Sequence, residues 1–459
     1  MAGRRPNPGA YHRNSHQNRA NLIRAAADVR LSQCMIVKNE EKNIERALSW
    51  AKDIAFEQIV VDTGSTDRTV EIAESMGATV YHFAWIDDFA AAKNFAIEKA
   101  RGNWIAFLDA DEWIEPEGVP NLRRSVEQTN RNTQIAALFC DWLQLRDDGS
   151  TFMVYEQSRI FRKHVRYSGR IHEQLVFSPG EIMSRMPDVQ IMHTGYTDAA
   201  YAETNKSERN IRLIRGELEK KPGDMKLKGY LADALSVSKD DPEKLAEAEL
   251  IYLEIVAYDQ PLEELMIRSA YDDLLTRARA KNDADEIIAL SPGAIGKLPR
   301  VPDYHYYYGL ALRAKGRYRE AFERFKECEH VIETVKDIQN RMTPSALYDM
   351  FAEMSRLALV LGDTAASIEY ASLTLVSDKY RKDILVQLLS VMNAVQSAGL
   401  SKDSERIQFL TQFYDFGDAR DKLFLAQCAK AAKDEVLMIY FYRTLTDAEK
   451  AALAAEPPE

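Results

Sequence analysis

Residues 103–113, Asn-Trp-Ile-Ala-Phe-Leu-Asp-Ala-Asp-Glu-Trp, restrict what this chain can fold into more than any other stretch. Trp104 to Leu108 is an unbroken apolar run of strand length, the pattern of a strand buried on both faces by flanking helices. It ends in Asp109-Ala110-Asp111. Ligands of open α/β sheets bind beyond the carboxyl ends of the strands, so these carboxylates are delivered to a binding rim. At i and i+2 they can converge on one hard cation and on a phosphate held by it. A helix-capping Asp beside a solvated one would give the same three letters; the neighbouring segments decide.

Upstream, strand and helix patterns alternate. Leu31 to Val37 is apolar apart from Ser32 and Gln33, and it runs into Lys38-Asn39-Glu40-Glu41. Asn43 to Lys52 has helical spacing, with Ile44, Ala47, Leu48 and Ala51 on one face. Ile59-Val60-Val61 is a second strand, closed by a loop from Asp62 to Asp67. Thr66 or Asp67 can cap the helix that runs to Met76 and stops at Gly77. Ala78 to Phe83 is a third strand, and Asp87-Asp88 opens a helix from Phe89 to Ala100 that Gly102 ends. Such alternation predicts a mostly parallel sheet with right-handed crossovers. Parallel strands share one carboxyl rim, so Glu40, Asp62, Asp109 and Asp111 are predicted to face one cleft.

Further on, Pro116 suits the first turn of a helix. Ile135 to Leu145 and Phe152 to Phe161 flank Asp147-Asp148-Gly149-Ser150 and predict a hairpin. Two later segments, Tyr167 to Leu175 and Val189 to Tyr196, bring His172, Glu173 and His193 to the edges of apolar strands.

At 459 residues the chain exceeds what a single core supports. We divide it into a disordered basic arm (1–29), an α/β domain (30–200), a helical domain (201–448) and a flexible tail (449–459). Residues 1–30 hold six Arg and one acid, whereas the whole chain carries −11, so the body is acidic. That argues against a nucleic-acid enzyme, although the arm could touch an anionic partner. The absence of an apolar run of about 18 residues predicts no membrane span, and with no secretory core the protein is expected to be cytoplasmic. Cys34, Cys140, Cys328 and Cys428 are widely spaced, consistent with reduced thiols and no structural zinc. Within the helical part, Gly309, Leu312, Gly316, Tyr318, Ala321 and Phe325 fall at the offsets of a tetratricopeptide unit. Weaker echoes occur near Gly229 to Tyr252 and Phe351 to Ser367. One unit cannot bury its own faces, which predicts a stack of degenerate repeats; a plain helical bundle is the alternative. The cluster of Tyr304, Tyr306, Tyr307 and Tyr308 could line an acceptor surface, with packing the favoured use.

Several segments together resemble family-2 glycosyltransferases with the GT-A fold. They are Val37-Lys38-Asn39-Glu40, the run Val60 to Thr69 containing Asp62-Thr63-Gly64-Ser65-Thr66-Asp67, and Phe107-Leu108-Asp109-Ala110-Asp111-Glu112. Asp87 to Ala96, Gly169-Arg170-Ile171-His172-Glu173 and His193-Thr194-Gly195-Tyr196 narrow the likeness to the branch that joins this domain to tetratricopeptide repeats, typified by sublancin-type peptide S-glycosyltransferases. Thr63 stands where many relatives have a second Asp, and Lys93 where Arg is common.

The resemblance implies a GT-A α/β domain followed by an all-α repeat domain, and an inverting transfer of a hexose from a nucleotide sugar, with UDP the expected carrier. The leaving diphosphate must be neutralised, which a divalent cation, Mn²⁺ or Mg²⁺, does without protonation. Asp111 is the first-choice ligand, Asp109 bridges metal and ribose, and His193 is a third candidate, with a buried hydrogen-bonded histidine as its alternative. By resemblance Glu40 and Asp62 hold ribose and base. Lys93 and Asn94, one turn inside a helix, are expected to meet phosphate or sugar hydroxyls, the alternative for Lys93 being a solvated face. Glu173 is the expected base toward the acceptor and His172 its orienting neighbour, with Glu112 a rival better suited to a supporting role. The repeats would present a polypeptide acceptor. Transfer to a saccharide or lipopolysaccharide-type acceptor is the second reading and a non-catalytic repeat adaptor the third. Self-association is left open.

Overall fold

Alternate side chains of residues 104–107 leave the backbone on opposite sides, and both sets are buried. This is seen in the computed structural model of the protein, which describes residues 29–194, 206–336, 342, 344–399, 402–448 and 450. The arginine-rich arm before residue 29, Gly195-Tyr196 and the tail beyond residue 450 lie outside the described residues. The chain divides into two compact units, residues 1–245 and 246–459.

The first unit holds β1 (Leu31–Val37), α1 (Ile44–Ser49), β2 (Glu57–Asp62), α2 (Thr69–Ser75), β3 (Thr79–His82), α3 (Phe89–Lys99) and β4 (Trp104–Phe107). These are followed by β5 (Glu112–Ile114), α4 (Val119–Thr129), β6 (Ile135–Leu145), β7 (Thr151–Arg162), β8 (Arg166–Ser168), β9 (Gln174–Val176), β10 (Ile182–His193), α5 (Lys206–Leu218) and α6 (Met225–Ser236). Trp104 and Ala106 pack into a core with Leu122 and Val126 of α4. Ile105 and Phe107 pack into another with Ala96 and Ile97 of α3. Two-sided burial is why the run carries no polar alternation.

Eight strands form one sheet in the order β3-β2-β1-β4-β7-β6-β10-β5, and β8 and β9 form a separate pair. The first four are parallel, as the strand and helix alternation predicts. Beyond β4 the sheet is mixed: β7 pairs antiparallel with β4 and β6, β10 parallel with β6, and β5 antiparallel with β10. The predicted hairpin is β6–β7. The first helix is shorter than its periodicity, and Pro116 lies outside a helix; α4 starts at Val119 with Pro120 in its first turn. Pro120 serves there because the first helical positions need no hydrogen-bond donor.

The polar interruption of β1 has a structural use. Gln33 Nε2 donates to the Ala47 carbonyl (2.7 Å), and Gln58 Nε2 donates to Gln33 Oε1 (2.6 Å) and to the Leu48 carbonyl (2.7 Å), tying α1 to the sheet. Gly102 is required because a Cβ there would stand 2.4 Å from the Arg30 carbonyl oxygen.

The second unit is helical. Its elements are α7 (Pro242–Ala257, carrying the division between units), α8 (Glu264–Ala280), α9 (Ala284–Lys297), α10 (Asp303–Ala314), α11 (Tyr318–Thr334) and α12 (Pro344–Val360). They continue with α13 (Thr364–Ser377), α14 (Lys382–Ser397), α15 (Asp403–Leu410), α16 (Ala419–Ala431) and α17 (Glu435–Thr444). The repeat offsets do what was expected of them: a Cβ on Gly309 would lie 2.5 Å from the Phe325 ring, so glycine is what lets α10 and α11 meet. Gly316 turns the chain between them at φ 73°. Tyr304 is buried with its hydroxyl donating to Asp272 (2.8 Å), so packing is its use. Among the described residues no helix is long and apolar enough to cross a membrane.

Candidate active site

The carboxyl ends of β1, β2 and β4 lie along one edge because these strands are mutually parallel. Val37 is in register with Asp62, and the turns that follow are laced together. Asn39, at φ 57°, accepts from the Thr66 N–H (2.8 Å), the Glu40 N–H donates to Thr69 Oγ1 (2.7 Å), and the Arg68 N–H donates to Glu41 (3.2 Å). Glu40 accepts from Asn43 Nδ2 at 2.8 Å. Asp62 accepts from the Ser65 and Gly64 N–H groups (3.0 and 3.2 Å) and lies 3.3 Å from His82 Nδ1. Burial works to raise the Asp62 pKa, but hydrogen bonds from Ser65, Gly64 and His82 overcome it and hold the carboxyl below the usual range.

Beyond β4 the carboxylates part ways. Asp109 Oδ1 faces Lys93 Nζ (3.1 Å) and its Oδ2 faces Arg159 Nη2 (3.1 Å). Burial opposes the charge, yet these cations keep Asp109 ionised far below the ordinary carboxylate range. Asp109, expected to share a metal, is therefore turned toward two side-chain cations. Arg159 also grips Glu112, Nε to Oε2 at 2.9 Å and Nη2 to Oε1 at 2.6 Å, and Glu112 Oε2 accepts the Asp109 N–H (3.0 Å). Glu112 is 1 % exposed and supports the turn that carries Asp109.

His193 reaches the same turn through strand register, standing opposite Glu112 of β5 and Gln144 of β6. Its Nδ1 lies 2.6 Å from Gln144 Oε1, its ring is tilted against Trp142, and its Nε2 is 3.5 Å from Asp111 Oδ2. An amide oxygen only accepts, so Nδ1 is the donor to Gln144 and Nε2 is the ring atom that faces the Asp111 carboxylate. An imidazole fixed from behind by a hydrogen bond, beside a carboxylate, is a donor pair that fits a divalent cation. Among the described residues no group of three His, Cys, Asp or Glu donors converges.

Lys93 does not lie on a solvated helix face. It is 3 % exposed, with Nζ 2.7 Å from Glu173 Oε1 as well as 3.1 Å from Asp109. Burial works against its charge, but Asp109 and Glu173 hold it above the usual lysine range. Asn94, expected at the sugar, clamps backbone: Nδ2 donates to the Tyr167 carbonyl (2.8 Å) and Oδ1 accepts the Tyr167 N–H (2.9 Å). Lys93 and Asn94 thus fasten the β8–β9 excursion to α3. Gly169 (φ 102°) and His172 (φ 51°) shape that excursion, and the His172 ring stacks on Tyr230 of α6 at 3.8 Å. Burial lowers the His172 pKa, with Glu173 opposing, so the ring is neutral at pH 7. A cleft of about 650 Å³ opens beside this loop, bounded by Asn94, Tyr167, His172, Gln174, Leu227 and Tyr230.

The comparisons follow this geometry. Residues 32–188 match the family model for glycosyl transferase family 2. That segment belongs to the family. The family-2 segment holds the strand-end carboxylates and His172 and Glu173 of the β8–β9 excursion, and His193 lies five residues past its matched end. A TPR repeat-containing protein of Synechococcus elongatus is 33% identical over 47% of this chain and 54% of its own length. The SPbeta prophage-derived glycosyltransferase SunS of Bacillus subtilis is 26% identical over 46% of this chain and 50% of its own. The chain thus spans about half the length of these curated relatives. Among solved structures, residues 1–349 of S. aureus TarS align at 16% identity with a TM-score of 0.32, over 58% of this chain and 91% of that one.

Proposed function

We propose that this chain is an inverting glycosyltransferase that moves a hexose from a nucleotide sugar, UDP-linked, to a polypeptide. The observation that carries the reading is the convergence at Lys93: the strand-end carboxylate Asp109 and Glu173 meet on one ammonium. Donor side and base are thereby brought together from positions 64 residues apart. Glu40 and Asp62 lie at the ends of the neighbouring strands and are assigned to the nucleoside. Asp111 and His193 would hold Mn²⁺ or Mg²⁺, which when bound neutralises the leaving diphosphate.

In the reaction the bond between the anomeric carbon and the diphosphate oxygen breaks, and its electron pair leaves with the nucleotide. The acceptor atom bonds that carbon from the opposite face and gives its proton to Glu173. An alcohol acceptor needs this base strongly; a thiol, with pKa near 8.5, needs it less. The 650 Å³ cleft is lined by His172 and Gln174, the loop neighbours of Glu173, and we assign the acceptor's approach to it. A polypeptide is favoured over a saccharide because the matched family-2 segment is followed by a helical region in which Gly309 admits the Phe325 ring, the close approach expected of a tetratricopeptide unit.

The test is mass spectrometry of host polypeptides incubated with the full chain, Mn²⁺ and UDP-, GDP- and dTDP-hexoses. The proposal expects nucleoside diphosphate release and a hexose-shifted polypeptide, both abolished in Glu173→Gln for a hydroxyl acceptor. Release accompanied only by modified saccharide defeats the acceptor assignment, and no release from any donor defeats the enzyme assignment.

A further inference from the structure

We propose that Lys93 is a positioning residue that ties Glu173 to the donor-side turn, so that removing its charge disables the base while leaving nucleotide binding in place. This rests on the reading of Glu173 as the base and goes beyond it by naming what holds that base.

The argument starts from the loop. Glu173 follows His172, whose left-handed backbone a non-glycine side chain adopts at a cost. A residue held there needs constraints on both sides. On one side His172 stacks against Tyr230, and on the other Glu173 Oε1 lies 2.7 Å from Lys93 Nζ. Tyr167, just before the excursion, is pinned by Asn94, the residue next to Lys93. Adjacent residues of α3 thus hold the base loop at two points.

The same ammonium is 3.1 Å from Asp109 Oδ1. It therefore separates two carboxylates that would otherwise repel each other, and it is flanked by the rings of Phe107 and Tyr167, each with its centroid 5.2 Å from Nζ. Asp109 keeps a second cation in Arg159, whereas Lys93 is the cation paired with Glu173 among the described ion pairs. Loss of Lys93 should consequently displace Glu173 more than Asp109. The α3 N-terminus, where Asp88 accepts the Ala91 N–H (2.8 Å), fixes the helix that delivers Lys93.

The experiment is a double-mutant cycle on the full chain, with hydrolysis of the active sugar nucleotide as the readout so that no acceptor is needed. Lys93→Met is expected to lower kcat about 100-fold, the scale of a general base lost. The dissociation constant for UDP with Mn²⁺, by calorimetry, is expected to change by less than about threefold, since uniform binding is not what is removed. Lys93→Arg should recover most of kcat, because it keeps the charge. In a Glu173→Gln background Lys93→Met should add less than about threefold, because residues acting through one another are not additive. Multiplying effects in the double variant, an unchanged kcat in Lys93→Met, or parallel loss of UDP binding would each overturn the inference while the function stands. A wild-type chain that consumes no sugar nucleotide, or a Glu173→Gln variant with full turnover, overturns the functional reading and this inference with it.

Discussion

Replacing Arg159 by Met tests whether the site is held by its buried charges. The residue is 8 % exposed and its side chain spans Glu112 and Asp109. Its removal deletes three charge-assisted hydrogen bonds to Glu112, at 3.2, 2.9 and 2.6 Å, and leaves that buried carboxylate with the Asp109 N–H as its remaining described donor. Breaking a buried pair from one side costs about 3–5 kcal/mol, far more than the intact pair contributes, because an uncompensated charge stays inside. All five tryptophans lie between Trp50 and Trp142, so their fluorescence in a urea titration follows the sheet unit alone. With a slope of about 2 kcal/mol/M the midpoint should fall by about 2 M. The pH dependence has a definite sign. Burial is the largest influence on Glu112 and raises its pKa; Arg159 is what opposes it. Without Arg159 the folded state binds a proton that the unfolded chain does not, so the deficit should shrink as pH falls from 7 toward 5. Adding Glu112→Gln should restore at least half the loss at pH 7. A midpoint shift below about 0.3 M, or a deficit that grows on acidification, would refute the reasoning.

The other expectations can be checked separately. Gly309→Ala places a methyl 2.5 Å from Phe325 and should cost about 1–3 kcal/mol in the helical unit, read by circular dichroism on melting, with recovery in Gly309→Ala/Phe325→Leu. Because the Asp62 pKa is depressed, its contribution is present at neutral pH and disappears as pH falls through the folded value. Asp62→Asn should therefore be less stable than wild type by about 1 kcal/mol at pH 7, with the gap closing below about pH 4; a gap independent of pH contradicts this. Asp111→Asn and His193→Ala should each weaken Mn²⁺ binding in the presence of UDP by at least about 10-fold, followed by electron paramagnetic resonance of free Mn²⁺. Gln144→Leu, which frees the His193 ring, should do so by a smaller factor. Equal affinity in all four proteins would remove the cation assignment.

The sheet was legible in the sequence where burial was two-sided. Trp104 to Phe107 carries no polar residue because both faces are covered, and Gly77 marks a real stop, whereas the helix before Gly102 ends at Lys99 and Gly102 serves the close approach to Arg30. The mixed half was visible only as a hairpin, since β10 pairs with β6 and β5 through residues such as His193 and Gln144, or His193 and Glu112, that lie far apart in sequence and are joined by backbone bonds that leave no local pattern. Pro116 and Pro120 are equivalent by local rule, and only the packing of Leu122 and Val126 picks the second. At the site, strand-end carboxylates could be read from position. Arg159 could not be assigned a partner, although a charged residue beside the apolar Ile160-Phe161 in a strand was a signal that something buried needs a cation. Lys93 and Asn94 were expected to meet phosphate or sugar hydroxyls, and their contacts to Glu173 and to the Tyr167 backbone were hidden because periodicity does not show what a distant loop lays over a helix. Gln144 and Tyr230 carry no motif at all, and their roles come from register and from stacking.

The central claim is that the edge carrying Asp62, Asp109 and Asp111 receives the nucleotide of an activated sugar. A crystal structure of the full chain grown with UDP and Mn²⁺ tests it most directly. The account predicts uridine against Asp62 and Glu40 and the metal on Asp111 and His193, with the diphosphate between them. Nucleotide bound at another surface, or a metal coordinated away from Asp111, would contradict it.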